Sequence, residues 1–230
     1  MKSMLAPEVK EWAEGVIDEL CANGFDDAVK YHKSINPWSY DNALDEWIDE
    51  NAQLLNKYNA SVYHGASKAC IVFSTENWVI KTNYRVEKQT ELTYGEIEVR
   101  NYIRAEEAGL EEFFAKTYEI GWRDEFGMYF YVQEKAGVDE SEISERFYDY
   151  VSSGYDEEDF EDEDEYYDIV SDNVSCMDED ERLFAVYGDD NTIRKLCGFV
   201  NDNDINDLHE ANFGINLVTG RYIIIDFSGF

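Results

Sequence analysis

The sequence predicts an α+β chain with a helical start, a strand-rich middle and a mixed C-terminal third. Three observations carry this. Apolar residues recur at three-to-four spacing across the first sixty positions. From Ala60 they fall instead into short β-branched and aromatic runs separated by polar turns. Near the end, a short hairpin leads into the strand Ile223-Ile224-Ile225-Asp226-Phe227. At 230 residues the chain can hold one large domain or two lobes with an ample core. The expected division is a helical extension over 1–59, a strand-rich lobe over 60–135, and a smaller lobe over 136–230 with an acidic insertion at 154–182.

Each element has its own signal. After Pro7, the residues Val9, Trp12, Ala13, Val16, Ile17 and Leu20 form one helical face, and Asn23-Gly24 makes a stop. A second stripe, Leu44, Trp47, Ile48, Leu55 and Tyr58, follows Asp41 as the expected N-cap. These helices carry no visible chemistry and are expected to brace the following domain or to form a partner surface. Strands at 61–64 and 69–73 flank Gly65-Ala66-Ser67-Lys68, and a polar turn leads into Trp78-Val79-Ile80-Lys81-Thr82. A helix is expected between 91 and 109, with Ile97, Tyr102, Ile103 and Leu110 turned inward. Two strands follow, over 116–122 and 128–135, and a later helix over 191–200 shows Ile193, Leu196, Cys197 and Val200 on one face.

Net charge is −33, which argues against nucleic-acid or anionic-membrane partners. Nine of the ten residues at 156–165 are acidic, and Asp178-Glu179-Asp180-Glu181 follows soon after. Removing residues 154–182, with fifteen acids and one base, still leaves −19, so the acidity is global. A block of like charge is expected to stay solvated as a loop inserted in the small lobe. Its sharper reading is a docking segment for a basic surface on a protein partner. Aromatics make up 15% of residues, so the chain packs a core and is not an acidic tail. Cys21, Cys70, Cys176 and Cys197 show no metal spacing and read as free thiols in a reducing compartment. With no signal-like start and no membrane-length apolar run, a soluble, cytoplasmic protein is expected.

The chemistry concentrates at Asp207-Leu208-His209-Glu210-Ala211-Asn212 and at Asp226. Phosphoryl transfer needs a carboxylate for the acceptor hydroxyl, plus an amide oxygen and a second carboxylate for Mg²⁺. If Thr219-Gly220 is a two-residue hairpin loop, Val218 faces Arg221 and Phe213 faces Asp226. Asn212 and Asp226 then become diagonal neighbours about 7–8 Å apart at Cα, within reach of one cation. Upstream, the small-residue loop 65–68 offers backbone N–H groups to phosphates, and Lys81 stands on the strand beyond it.

In this order, the residues resemble the protein-kinase-like superfamily across 60–230, and Asp207-Leu208-His209-Glu210-Ala211-Asn212 is similar to the corresponding loop of aminoglycoside and choline kinases. The resemblance implies a two-lobed kinase-like fold with ATP and Mg²⁺ as cofactors. It makes Asp207 the catalytic base or hydroxyl-positioning group, Asn212 and Asp226 the metal ligands, Lys81 the phosphate lysine, and Gly65, Ala66, Ser67 and Lys68 the phosphate loop. Glu96 is the expected partner of Lys81, with Glu98 the alternative. The backbone of Glu134, Lys135 and Ala136 would meet adenine, and His209 would sit near the transferred phosphate.

The chain departs from the family at Asn206, where Arg or Gly is usual, at Ser228, and in its single loop glycine. Only four residues follow Asp226 in the sequence, so a minimal C-terminal lobe without an activation segment is expected, as in the compact kinases of bacteria, phages and secreted effectors. Delivery to a host cell as an effector fits that resemblance. Three functions stay open: a kinase acting on a protein hydroxyl, a small-molecule phosphotransferase, and a non-enzymatic acidic binding protein such as a pseudokinase or charge mimic.

Overall fold

Pro7 lacks an N–H that the first turn of a helix leaves unpaired in any case, and it opens α1 (Pro7–Ala22) in this computed structural model. The structure describes residues 4–28, 43–58, 61–64, 70–74, 77–83, 92–125, 127–156, 160 and 162–228. Ala13, Val16, Ile17 and Leu20 form the buried face of α1, as their spacing predicts. The second stripe is divided. α2 (Ala43–Glu50) and α3 (Ala52–Lys57) meet at Asn51, whose N–H and side-chain amide both donate to the Trp47 carbonyl. The expected cap Asp41 lies outside the described residues.

The fold is α+β with small antiparallel sheets, in two units: Met1–Glu107 with Lys116–Lys135, and Ala108–Ala115 with Ala136–Phe230. The first unit holds β1 (Ser61–His64), β2 (Cys70–Ser74), β3 (Trp78–Asn83), β4 (Thr117–Arg123) and β5 (Met128–Glu134) in the order β1-β2-β3-β5-β4. Between β3 and β4 the chain forms α4 (Tyr94–Ala108).

β5 is covered on both faces, which explains its unbroken apolar run. Met128, Phe130 and Val132 pack with the α1 face, Trp47 and Leu55. Tyr129 and Tyr131 pack with Val99 and Ile103 of α4. Burying each large aliphatic side chain is worth about 1.5–3 kcal/mol, so α1 is an integral layer of this unit. On the other side of the sheet, a Cβ at Gly95 would come within 2.7 Å of the Tyr131 ring, so α4 lies directly on β5.

The second unit pairs β6 (Ala136–Gly137), β7 (Phe213–Asn216) and β8 (Tyr222–Ile224) in that order. Around them run α5 (Glu140–Ser152), α6 (Glu163–Ser175), α7 (Glu179–Tyr187) and α8 (Asn191–Asp202). The buried side of α8 is the expected Ile193, Leu196, Cys197 and Val200.

The acidic segment is not a solvated loop from Asp162 onward. Asp162 caps α6 by accepting from the Glu165 N–H at 2.9 Å, and Glu163, Asp164 and Glu165 fill the first turn. Asp178 and Glu181 form a capping box at the start of α7. Carboxylates at helix N-termini face unpaired N–H groups and the positive end of the helix dipole, which offsets their mutual repulsion. Residues 157–159 and 161 lie outside the described residues. Among the described residues, no helix is long and apolar enough to cross a membrane.

Candidate functional site

In the first unit, strand pairing decides which groups surround Lys81. Ile80 points into the core with α1, so Lys81, one residue on, takes the opposite face, under α4. Its cross-strand partner is Tyr131, and Gln133 lies two residues further along β5, paired with Thr117 on β4. Lys81 Nζ stands 3.2 Å from Glu98 Oε1 in an ion pair whose side chains are 13% and 2% exposed.

Glu98, not Glu96, is therefore the partner of Lys81. Glu96 is occupied at the helix start: it accepts from the Thr93 N–H at 2.8 Å, while the Thr93 hydroxyl accepts from the Glu96 N–H at 3.1 Å. Its other oxygen accepts from Trp122 Nε1 at 3.1 Å. Thr93-x-x-Glu96 is a capping box, a signal present in the sequence. Glu98, in contrast, shares the buried side of α4 with Tyr102 and Ala105.

In the second unit, the loop after Ile205 carries Asp207 in the left-handed region, at φ +69°. Leu208 is fully buried and anchors the loop. The carboxylate of Glu179, at the start of α7, accepts from the Asp207 N–H at 2.9 Å and the Leu208 N–H at 3.0 Å. Sequence reasoning did not single out Glu179, which lies in the acidic run. Asn212 donates its amide to the Asp207 carbonyl at 2.5 Å. His209 accepts from the Ala211 N–H at 3.3 Å and so caps the short turn 210–212.

The hairpin beyond differs from expectation by two residues. Phe213 pairs with Ile224, not with Asp226, and a four-residue loop spans 217–220. Asn216 closes that loop: its N–H donates to the Arg221 carbonyl, and its side-chain oxygen accepts from the Val218 and Thr219 N–H groups. Gly220 completes the turn at φ +69°. A shift of two residues preserves which side chains share a face. The Ile225 N–H donates to the Asn212 carbonyl at 2.9 Å, so Asp226 follows the residue bonded to Asn212. Asp226 accepts from the Ser228 hydroxyl at 3.1 Å.

Other expectations fare differently. Gly65, Ala66, Ser67 and Lys68 lie outside the described residues. The Glu134 N–H donates to the Lys116 carbonyl at 2.8 Å and the Lys135 N–H to the Asn77 carbonyl at 3.0 Å. Those two donors are bonded within the first unit. Ala136 opens the second unit by pairing with Asn216.

Among the described residues, no three His, Cys, Asp or Glu side chains gather as a metal cluster. The donor set of Asn212 and Asp226, an amide oxygen and a carboxylate, suits Mg²⁺, which keeps several waters or phosphate oxygens of its own. A cleft of about 410 Å³ in the second unit is lined by Phe113, Tyr187, Ile193, Arg221 and Tyr222 among others, none of them an expected site residue. No protein-family model matches the chain, and neither a characterised protein nor a solved structure does.

Proposed function

We propose that the protein is an ATP- and Mg²⁺-dependent phosphotransferase with a two-lobed, kinase-like organisation, acting on a hydroxyl of a protein partner. The observation that carries the reading is the loop 207–212, where Asn212 is tied to the Asp207 backbone and Asp226 follows the residue paired with Asn212. The chain order of the first unit supports it: three strands, a helix whose glutamate meets the strand lysine, and two further strands.

In this reading the acceptor hydroxyl attacks the γ-phosphorus as its proton passes to the Asp207 carboxylate, and the bond to the β-phosphate oxygen breaks to release ADP. Asn212 and Asp226 would hold Mg²⁺, which neutralises charge on the phosphates. Lys81, paired with Glu98, would supply positive charge to the nucleotide against the chain's net charge of −33. In this reading the acidic run at 156–165 would dock a basic surface on the partner.

Incubation with γ-labelled and, separately, α-labelled ATP, with and without Mg²⁺ and with a cell lysate, tests the assignment. Mg²⁺-dependent incorporation of the γ label alone is expected. Incorporation of the α label would instead assign nucleotide transfer, and no incorporation of either would favour the acidic binding protein.

A further inference from the structure

Glu98 has more partners than an ion pair requires. Its Oε1 accepts from Lys81 Nζ at 3.2 Å and Gln133 Nε2 at 2.8 Å, and its Oε2 accepts from the Tyr131 hydroxyl at 2.5 Å. Gln133 is itself oriented, since its amide also donates to Thr117 Oγ1 at 3.0 Å. Glu98, Tyr131, Gln133 and Thr117 are each at most 2% exposed. A carboxylate so far from water depends on such partners for its placement. Two of them come from β5, the strand that α4 presses against at Gly95.

Resting on the reading above, we propose that Tyr131 and Gln133 are positioning residues. They clamp Glu98 so that the sheet itself sets the Lys81 ammonium, without a separate activation event. In protein kinases, activation acts by moving the helix that carries the paired glutamate. Here that glutamate is held from β5 as well as by the lysine, which leaves such a switch nothing to move.

The test uses Tyr131→Phe, which keeps the ring and removes only the hydroxyl, and the double variant Tyr131→Phe/Gln133→Leu. Amide exchange across 94–108 should rise about tenfold in the single variant, the worth of one charged hydrogen bond, with the fold intact by circular dichroism. Mg·ATP affinity should fall in Tyr131→Phe when Lys81 is present, and Tyr131→Phe should have no further effect in Lys81→Ala. A packing role would weaken both backgrounds alike. Phosphatase treatment of the unmodified protein should leave its activity unchanged. Unaltered exchange in the folded double variant, or loss of activity on phosphatase treatment, would overturn the proposal. If the unmodified protein transfers no phosphate while the variants still loosen α4, the reaction assignment fails and the clamp stands.

Discussion

Replacing Glu179 tests how the loop at Asp207 is held. Asp207 is a non-glycine residue at φ +69°, a conformation that costs roughly 1–2 kcal/mol for an L-residue. Opposing that cost are two charge-assisted hydrogen bonds from successive backbone N–H groups to one carboxylate, at 2.9 and 3.0 Å. Such bonds are worth about 1.5–3 kcal/mol each when well formed, and partial solvent access puts this pair at the lower end. Glu179→Ala should therefore release the loop by about 2 kcal/mol, roughly a thirtyfold loss of turnover with ATP affinity nearly unchanged. Glu179→Gln keeps one acceptor oxygen and should lose about 1 kcal/mol, near fivefold. Steady-state phosphate transfer gives the first readout. Exchange of the Asp207 and Leu208 amides gives a second that needs no activity, and it should accelerate by the same factors. Wild-type turnover and unchanged exchange in folded Glu179→Ala would refute the reasoning.

Asp226→Ala and Asn212→Ala should each abolish Mg²⁺-dependent transfer while the protein stays folded, Asp226→Ala the more completely because it removes the charge that balances the cation; transfer rates across a Mg²⁺ titration check this. Thiol labelling should separate the cysteines. Burial, with Asp178 and Asp180 nearby, pushes the Cys197 thiol up to about 12, whereas Cys176 is exposed. Because a raised thiol pKa leaves almost no thiolate near pH 8, Cys176 should be alkylated well before Cys197, as peptide mass spectrometry of the folded protein would show. Equal labelling of the two would contradict the burial of α8.

The sequence carried the period of its helices better than the identity of its partners. α1 and α8 were legible because one unbroken apolar face decides each of them. The Lys81 partner was not, because Glu96 and Glu98 lie two residues apart and face about 200° around the helix from one another. What separates them is the capping box from Thr93, which claims Glu96, and the alignment of Glu98 with Tyr102 and Ala105 on the buried side. The hairpin register was missed because Asn216 reaches over its own loop and makes four residues turn where Thr219-Gly220 alone suggested two. Charge counting likewise read the acidic run as repulsion, while its spacing, Asp178-x-x-Glu181 above all, encodes helix starts. The hydrogen bonds to Glu98 join α4 to β3 and β5, and no local pattern announces them.

The most direct test of the central claim compares unmodified protein with Asp207→Asn. Asn adopts the left-handed conformation readily, so the loop backbone and its bonds to Glu179 are kept while the carboxylate is lost. Calorimetric Mg·ATP affinity should be unchanged, and γ-phosphate transfer should fall by about 10²–10⁴, the usual worth of a positioned general base. Asp207→Asn that turns over like the unmodified protein would contradict the account.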